Sequence, residues 1–338
     1  MTQYLIRRLG TLTITLIGIM MITFFISLVV PLDPLAAIAG PQAPQETVER
    51  LRILYGFDQP IYIQFARYIK RLAHGDLGTS FQTGRPVLED IIHFFPATIE
   101  LATLALIVAI LVGIPLGVLS AVYRNSPIDH FSRVLSLIGV SMPVFWLGLV
   151  LILIFYYKLG WFPEPGRLDI MLMEPKRITG ALLIDSVIAR DWEVFWDAIK
   201  HMFLPATVLG LFGLAGIARI VRSSMLDVLS QEYIKTARIK GLNEFLVLTR
   251  HALRNALVPA VTIIGLTYGG LLEGSVLTET IFSWPGLGRY LAKAFLTLDL
   301  NAVVGGTMLV ALIFSVVNLI VDLSYAFLNP QITYTTER

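Results

Sequence analysis

Six long runs of this chain carry almost no charge: residues 9–30, 96–122, 134–157, 204–221, 256–276 and 302–328. Crossing a hydrocarbon core as a helix takes roughly 20 apolar residues. In lipid, every backbone polar group must be satisfied internally, which leaves helices or closed barrels. Runs this long predict helices, so the expected fold is an all-α integral membrane protein with six transmembrane helices. Composition agrees: 56% of residues are hydrophobic and 15% are charged, against about 25% charged in soluble domains. The first run follows Arg7 and Arg8 and precedes Ala37-Ile38-Ala39, a cleavage-like triplet. Its apolar core exceeds the usual 7–15 residues of a signal peptide, so it is read as a retained anchor.

Charge sets the orientation. Residues 219–255 hold seven basic residues (Arg219, Arg222, Lys235, Arg238, Lys240, Arg250, Arg254) against Asp227, Glu232 and Glu244. Arg124 and Arg133 face Asp129 in the short segment after the second run. Segments 31–95, 158–203 and 277–301 show no basic excess. Basic loops stay cytoplasmic, so both termini and the 219–259 loop are expected inside. The expected organisation is an anchor helix with a large extracytoplasmic segment (1–95), a transmembrane domain (96–332) and a short tail (333–338). Amphipathic helices are predicted near residues 45–55 and 62–73. Trp161, Trp192 and Trp196 suit a membrane–water interface.

Several chemistries are not indicated. Without cysteine there is no disulfide, thiolate metal site or cysteine nucleophile. The net charge of +2 is too small to point to nucleic acid. His74, His93, His130, His201 and His251 fall outside the cores of the runs, with no HExxH and no close histidine–carboxylate cluster, so no metal site is expected. No GxxxxGK[ST] loop occurs, so no nucleotide site is expected on this chain. Gly286-Leu287-Gly288 reads as a turn in an outward loop, its Trp284-Pro285-Gly286 context suiting a re-entrant or interfacial turn. Glu100, Glu273 and Asp322 lie in or near the membrane, where ionisable residues raise a functional question. Glu100 and Glu273 have two readings, structural pairing or contact with a substrate ammonium group. Asp322 is expected to pair with an arginine. Pro115, Pro143 and Pro259 either shape the bundle or let spans rock. Gly113-xxx-Gly117, Gly265-xxx-Gly269 and Gly270-xxx-Gly274 allow close helix contact, within the chain or with another.

The most organised segment outside the runs is residues 232–259, EYIKTARIKGLNEFLVLTRHALRNALVP. Ser230 is placed to cap a short helix, Glu232 suits its positive end, and Gly241 is a natural stop. Tyr233, Ile234 and Ala237 share one face, and Lys235 and Arg238 another. Ala237 is small enough to let a partner approach closely. Residues 245–257 read as a second helix leading to Pro259. On pattern alone, a partner-docking helix and a basic helix hugging the membrane both fit.

EYIKTARIKGL followed by HALRNALVP is similar to the EAA loop of binding-protein-dependent ABC importer permeases. RRLG, HGDLGTSF (74–81), PATIELA (96–102), SMPVFWLG (141–148), RSSMLDVL (222–229), LTETIFSWPGLGRYL (277–291) and NPQI (329–332) extend the likeness over almost the whole chain. Together they resemble the DppB/OppB family of dipeptide and oligopeptide permeases, with the insertion around 179–197 closest to the dipeptide branch. Glu232-Tyr233 and Thr236-Ala237 stand where the motif's literal letters are Glu-Ala-Ala.

The resemblance implies a type I ABC importer permease fold in a bacterial inner membrane. It implies a coupling helix seated in a groove of an ATPase subunit, carried by Glu232, Tyr233, Ala237, Arg238, Gly241 and Leu242. It also implies the partners: a second, DppC/OppC-like permease, two ABC ATPases that bind ATP and magnesium, and an extracytoplasmic peptide-binding protein. The chain itself would catalyse nothing and carry no cofactor. Nickel or another small solute stays open as cargo. An intramembrane protease lacks its histidine and GxSxG here. A secondary transporter would not need the 232–242 helix and would more typically bury coupling carboxylates at the midplane.

Overall fold

The computed structural model describes residues 2–29, 43–56 and 58–328. Its helices are α1 (Thr2–Val29), α2 (Gln45–Tyr55), α3 (Ile61–Ala73), α4 (Val87–Val122), α5 (Pro127–Ser141), α6 (Val144–Leu151, continued as a π-helix over Ile152–Lys158) and α7 (Leu182–Ala189). They are followed by α8 (Trp192–Leu229), α9 (Glu232–Ile239), α10 (Glu244–Ile281, with a π-helical stretch over Val247–Leu253), α11 (Leu287–Leu296) and α12 (Leu300–Leu328). The described residues contain no strand beyond one isolated bridge between Thr79 and Pro86. The triplet at 37–39, the NPQI motif and the tail lie outside the described residues, as does the side chain of Asp322.

Helices α4, α8, α10 and the 300–317 part of α12 are long and apolar enough to cross a membrane. The third expected run is not one straight span. α5 and α6 qualify only as a pair, bent by 106° across Met142 and Pro143. A local contribution is plain: the proline ring disfavours helical backbone at the preceding residue, and Met142 is extended at φ −84°, ψ 131°. Within α1 the described apolar stretch is Thr13–Ile22. Pro205 and Pro259 sit inside helices without ending them.

The chain divides into two compact units. The first comprises Met1–Pro96 and Gly286–Ile313. Here α3 lays Phe65, Tyr68 and Leu72 against Met20 and Phe24 of α1 and Val304 and Met308 of α12. The HGDLGTSF motif is a clamp on the start of α12. Asp299 accepts Ser80 Oγ at 2.5 Å and the Gln82 N–H at 3.1 Å, while its other oxygen caps Ala302. Asn301 donates to the Thr79 carbonyl at 2.9 Å. Tyr290 stacks on Phe94 and donates to buried Asp90 at 3.1 Å.

The second unit comprises Ala97–Pro285 and Phe314–Arg338, with α8 at its centre. Between helices in lipid, packing rather than water exclusion supplies most of the attraction, so small residues gather at the contacts. Gly117 lets α4 approach α8 so closely that a Cβ there would lie 2.7 Å from the Ala218 carbonyl oxygen. The Gly113-xxx-Gly117 contact is therefore internal, while Gly270 and Gly274 have no neighbour that a Cβ would meet within 4 Å. Trp284 is fully buried and donates its indole N–H to the Ala97 carbonyl at 2.9 Å. That places the tryptophan of the expected interfacial turn inside the core. Gly286 caps α11, and Gly288 lies within that helix.

Candidate functional site

The 232–242 segment folds as predicted in outline and differs in its details. Ser230 does not cap α9. It closes α8, its hydroxyl donating to the Asp227 carbonyl at 2.7 Å, and Gln231 takes the N-cap position without a side-chain capping bond, its Nε2 donating instead to the Asp227 carbonyl at 3.3 Å. At the other end Gly241 has φ +76°, a conformation that costs a glycine little. The Gly241 N–H donates to the Arg238 carbonyl at 2.9 Å, and the Leu242 N–H to the Ala237 carbonyl at 3.4 Å. These two bonds are the paired closure that satisfies orphan carbonyls at a helix end.

One face of α9 is spent on the chain's own core. Ile234 and Ala237 are buried in a cluster with Val221 and Met225 of α8 and Val247, Ala252 and Ala256 of α10. The close approach that Ala237 permits is therefore to these residues, and the partner-facing role expected of its small side chain is corrected. Tyr233 sits at the rim, its hydroxyl accepting from Asn255 Nδ2 at 2.9 Å. The basic face is paired within the chain. Lys235 meets Glu232 at 2.7 Å. Arg238 grips Glu244 with two bonds, at 2.7 and 3.1 Å, bracing α9 against α10.

Among the exposed charged side chains of the segment stand several apolar ones. Ile239 is 86% exposed and Phe245 75% exposed, with Leu242 and Leu246 partly exposed beside them in the chain. Sequence reasoning missed Ile239 and Phe245. The signal was present: with Ile234 and Ala237 facing inward, helical spacing puts Ile239 on the opposite side. A short helix held by a buried face, a bidentate ion pair and a closed C-terminus moves with α8 and α10. It leaves Ile239 and Phe245 uncovered among the described residues.

The carboxylates read as candidate cation ligands divide. Glu100 accepts Arg167 Nη2 at 2.7 Å and the Leu183 N–H at 2.6 Å, and Arg167 also reaches the Gly180 carbonyl at 2.9 Å. Its role is to pin the 167–183 segment. Glu273 is exposed on α10. Glu279, which the sequence did not single out, is fully buried and accepts Thr98 Oγ1 at 2.6 Å and Ser275 Oγ at 3.0 Å. His201 is buried beside Asp197 at 3.0 Å, a histidine–carboxylate contact not anticipated from spacing. No group of three or more potential metal ligands occurs among the described residues. Asp185 holds the 178–185 turn. Burial pushes its carboxyl up, but donors from Thr179, Gly180 and Ile178 outweigh that and lower it.

Fold and site together define a multi-pass, all-helical membrane protein with a short helix anchored between α8 and α10. A family model described as "Binding-protein-dependent transport system inner membrane component" matches residues 113–334, and the model of its N-terminal part matches residues 1–102. The chain belongs to this family, as a DppB-type ABC permease of the inner membrane. It is 47% identical over 326 residues to the probable D,D-dipeptide transport system permease protein DdpB of Escherichia coli K12, covering 96% of each chain. It is 46% identical to the dipeptide transport system permease protein DppB of the same organism, covering 99% of each chain. It is 43% identical to DppB of Alkalihalophilus pseudofirmus, covering 99% of this chain and all of that one. Among solved structures it is similar to the inward-facing MetNI methionine ABC transporter. The TM-score is 0.50 at 17% identity, over 69% of this chain and 93% of that chain, a likeness of fold alone.

Proposed function

We propose that this chain forms half of the translocation pathway of an ATP-driven importer of di- and oligopeptides. The observation that carries the reading is identity of 46–47%, across at least 96% of the chain, to permeases named for dipeptide and D,D-dipeptide transport. Those names favour a peptide over nickel as cargo. In this reading six spans cross the membrane, the first built on α1 and the third on the bent α5–α6 pair. Both termini and the α8–α10 connection are cytoplasmic, and residues 31–95 are outside.

The Glu232–Leu242 segment then seats on an ATPase subunit, with Ile239 and Phe245 as apolar anchors. Its support is mechanical: a rigid helix plugged into the ends of α8 and α10 transmits displacement that a free loop would absorb. A DppC/OppC-like permease completes the pathway, and an extracytoplasmic binding protein delivers the peptide. ATP and magnesium act on the two ATPases. Their closure moves the coupling segments inward and opens the cavity outward, and hydrolysis resets it.

The test is reconstitution of the transporter with Ile239→Asp and Phe245→Ala combined. Uptake and peptide-stimulated hydrolysis should both fall roughly tenfold or more, the effect of removing anchors from an interface centre. The chain should stay folded and inserted, because both side chains are exposed. Uptake at the wild-type rate contradicts the assignment.

A further inference from the structure

The segment that carries α2 and α3 contains cations that no described carboxylate pairs. Residues 43–96 include six basic side chains. Arg50 pairs with Glu46 at 2.7 Å, Arg52 with Glu49 at 4.0 Å and Arg85 with Asp90 at 2.6 Å. Arg67, Lys70 and Arg71 have no acidic partner among the described residues, and all three line one cavity of about 570 Å³ in the first unit. Asp76 is the carboxylate in that lining, and one of its oxygens already accepts the Gly78 N–H at 2.8 Å.

The lining also includes apolar residues of long helices, beside Asn301 of α12. Phe24 comes from α1, and Leu300 and Val304 come from α12. Tyr68, another lining residue, is 4% exposed, and its hydroxyl finds no hydrogen-bond partner among the described residues. Burial pushes that phenol up to about 12, with Arg71 working against the rise and Asp76 adding to it less, so it remains a donor. Ile61, Tyr62 and Ile69 of α3 are exposed beside the cations. A helix with basic residues and outward apolar side chains lies in the membrane–water boundary. A cation cluster above an apolar wall that continues into a span matches a ligand with a negative head and a hydrocarbon tail. A free anion would leave the wall unused, and so would an acidic protein segment.

We propose that this cavity binds an anionic phospholipid, its phosphate on Arg67, Lys70 and Arg71 and an acyl chain along Phe24 and Val304. The inference stands on the membrane embedding of the chain and is independent of its cargo. Native mass spectrometry of the full-length chain in mild detergent, titrated with phosphatidylglycerol, phosphatidylcholine or inorganic phosphate, tests it. One phosphatidylglycerol should be retained in preference to phosphatidylcholine.

Arg67→Gln/Lys70→Gln/Arg71→Gln should weaken that retention on the order of a hundredfold, from about tenfold or less per cation. Arg50→Gln/Arg52→Gln, which removes paired cations from the same segment, should not. Leu54→Trp, which adds bulk to an exposed wall residue, should reduce retention with the cations intact. Equal retention by the triple variant overturns the proposal, as does displacement of the lipid by inorganic phosphate at similar concentration. A triple variant that keeps its lipid but loses binding of an extracytoplasmic protein overturns it in favour of a protein partner.

Discussion

Asp129 and Arg222 show how one pair of side chains fixes the arrangement of three helices. Asp129 is fully buried, and Arg222 grips it with Nε at 2.9 Å and Nη2 at 3.0 Å, while Ser120 donates at 2.5 Å. Arg133 approaches the same carboxylate at 3.4 Å. Removing one partner of a buried pair leaves an uncompensated charge, which costs about 3–5 kcal/mol. Arg222→Gln should therefore lower the thermal midpoint of the purified chain sharply, and adding Asp129→Asn should restore much of the loss. A midpoint unmoved by Arg222→Gln would show that the pair is idle. The sequence marked both residues only as charges in loops; 93 positions separate them, and no local pattern joins such a pair. Arg167, which holds Glu100 from 67 positions away, was hidden for the same reason. Ile239 was different, because its outward direction followed from helical spacing once Ile234 and Ala237 were assigned to the core.

α9 was legible in its extent and its stop, since Gly241 marks the end, but its cap falls on Gln231 rather than Ser230 and its Ile234–Ala237 face packs on the chain's own core rather than on a partner. Gly241 carries that legibility into a prediction. A side chain at φ +76° is strained, so Gly241→Ala should cost about 1–2 kcal/mol in thermal unfolding. Gly241→Pro should cost more, because it also removes the N–H bonded to the Arg238 carbonyl. If alanine is neutral there, the closed helix end contributes nothing to the stiffness on which force transmission depends. The α5–α6 pair was less legible. Pro143 stood out as a residue that could shape the bundle, but the direction taken after an extended Met142 is set by packing of Gly139 against Leu211 and of Gly148 against Ile281 and Phe282. The long α4 and α8 began earlier than their apolar runs, since Asp90 in the first turn of α4 and the polar start of α8 are held by tertiary bonds rather than by hydrophobic pattern.

For the molecule as a transporter, everything turns on which side of the membrane α9 faces and whether another protein covers it. The six apolar runs and the basic 219–255 segment carried the membrane class and an orientation. They could not show that the basic side chains of α9 are paired within the chain or that Ile239 is exposed beside them. The natural sequence offers a clean probe because it contains no cysteine. Ile239→Cys should react with a membrane-impermeant maleimide in inside-out vesicles and not in right-side-out cells, and its labelling should drop when the ATPase subunits are assembled on the complex. Labelling from the outer face, or labelling that the ATPases leave undiminished, would contradict the account.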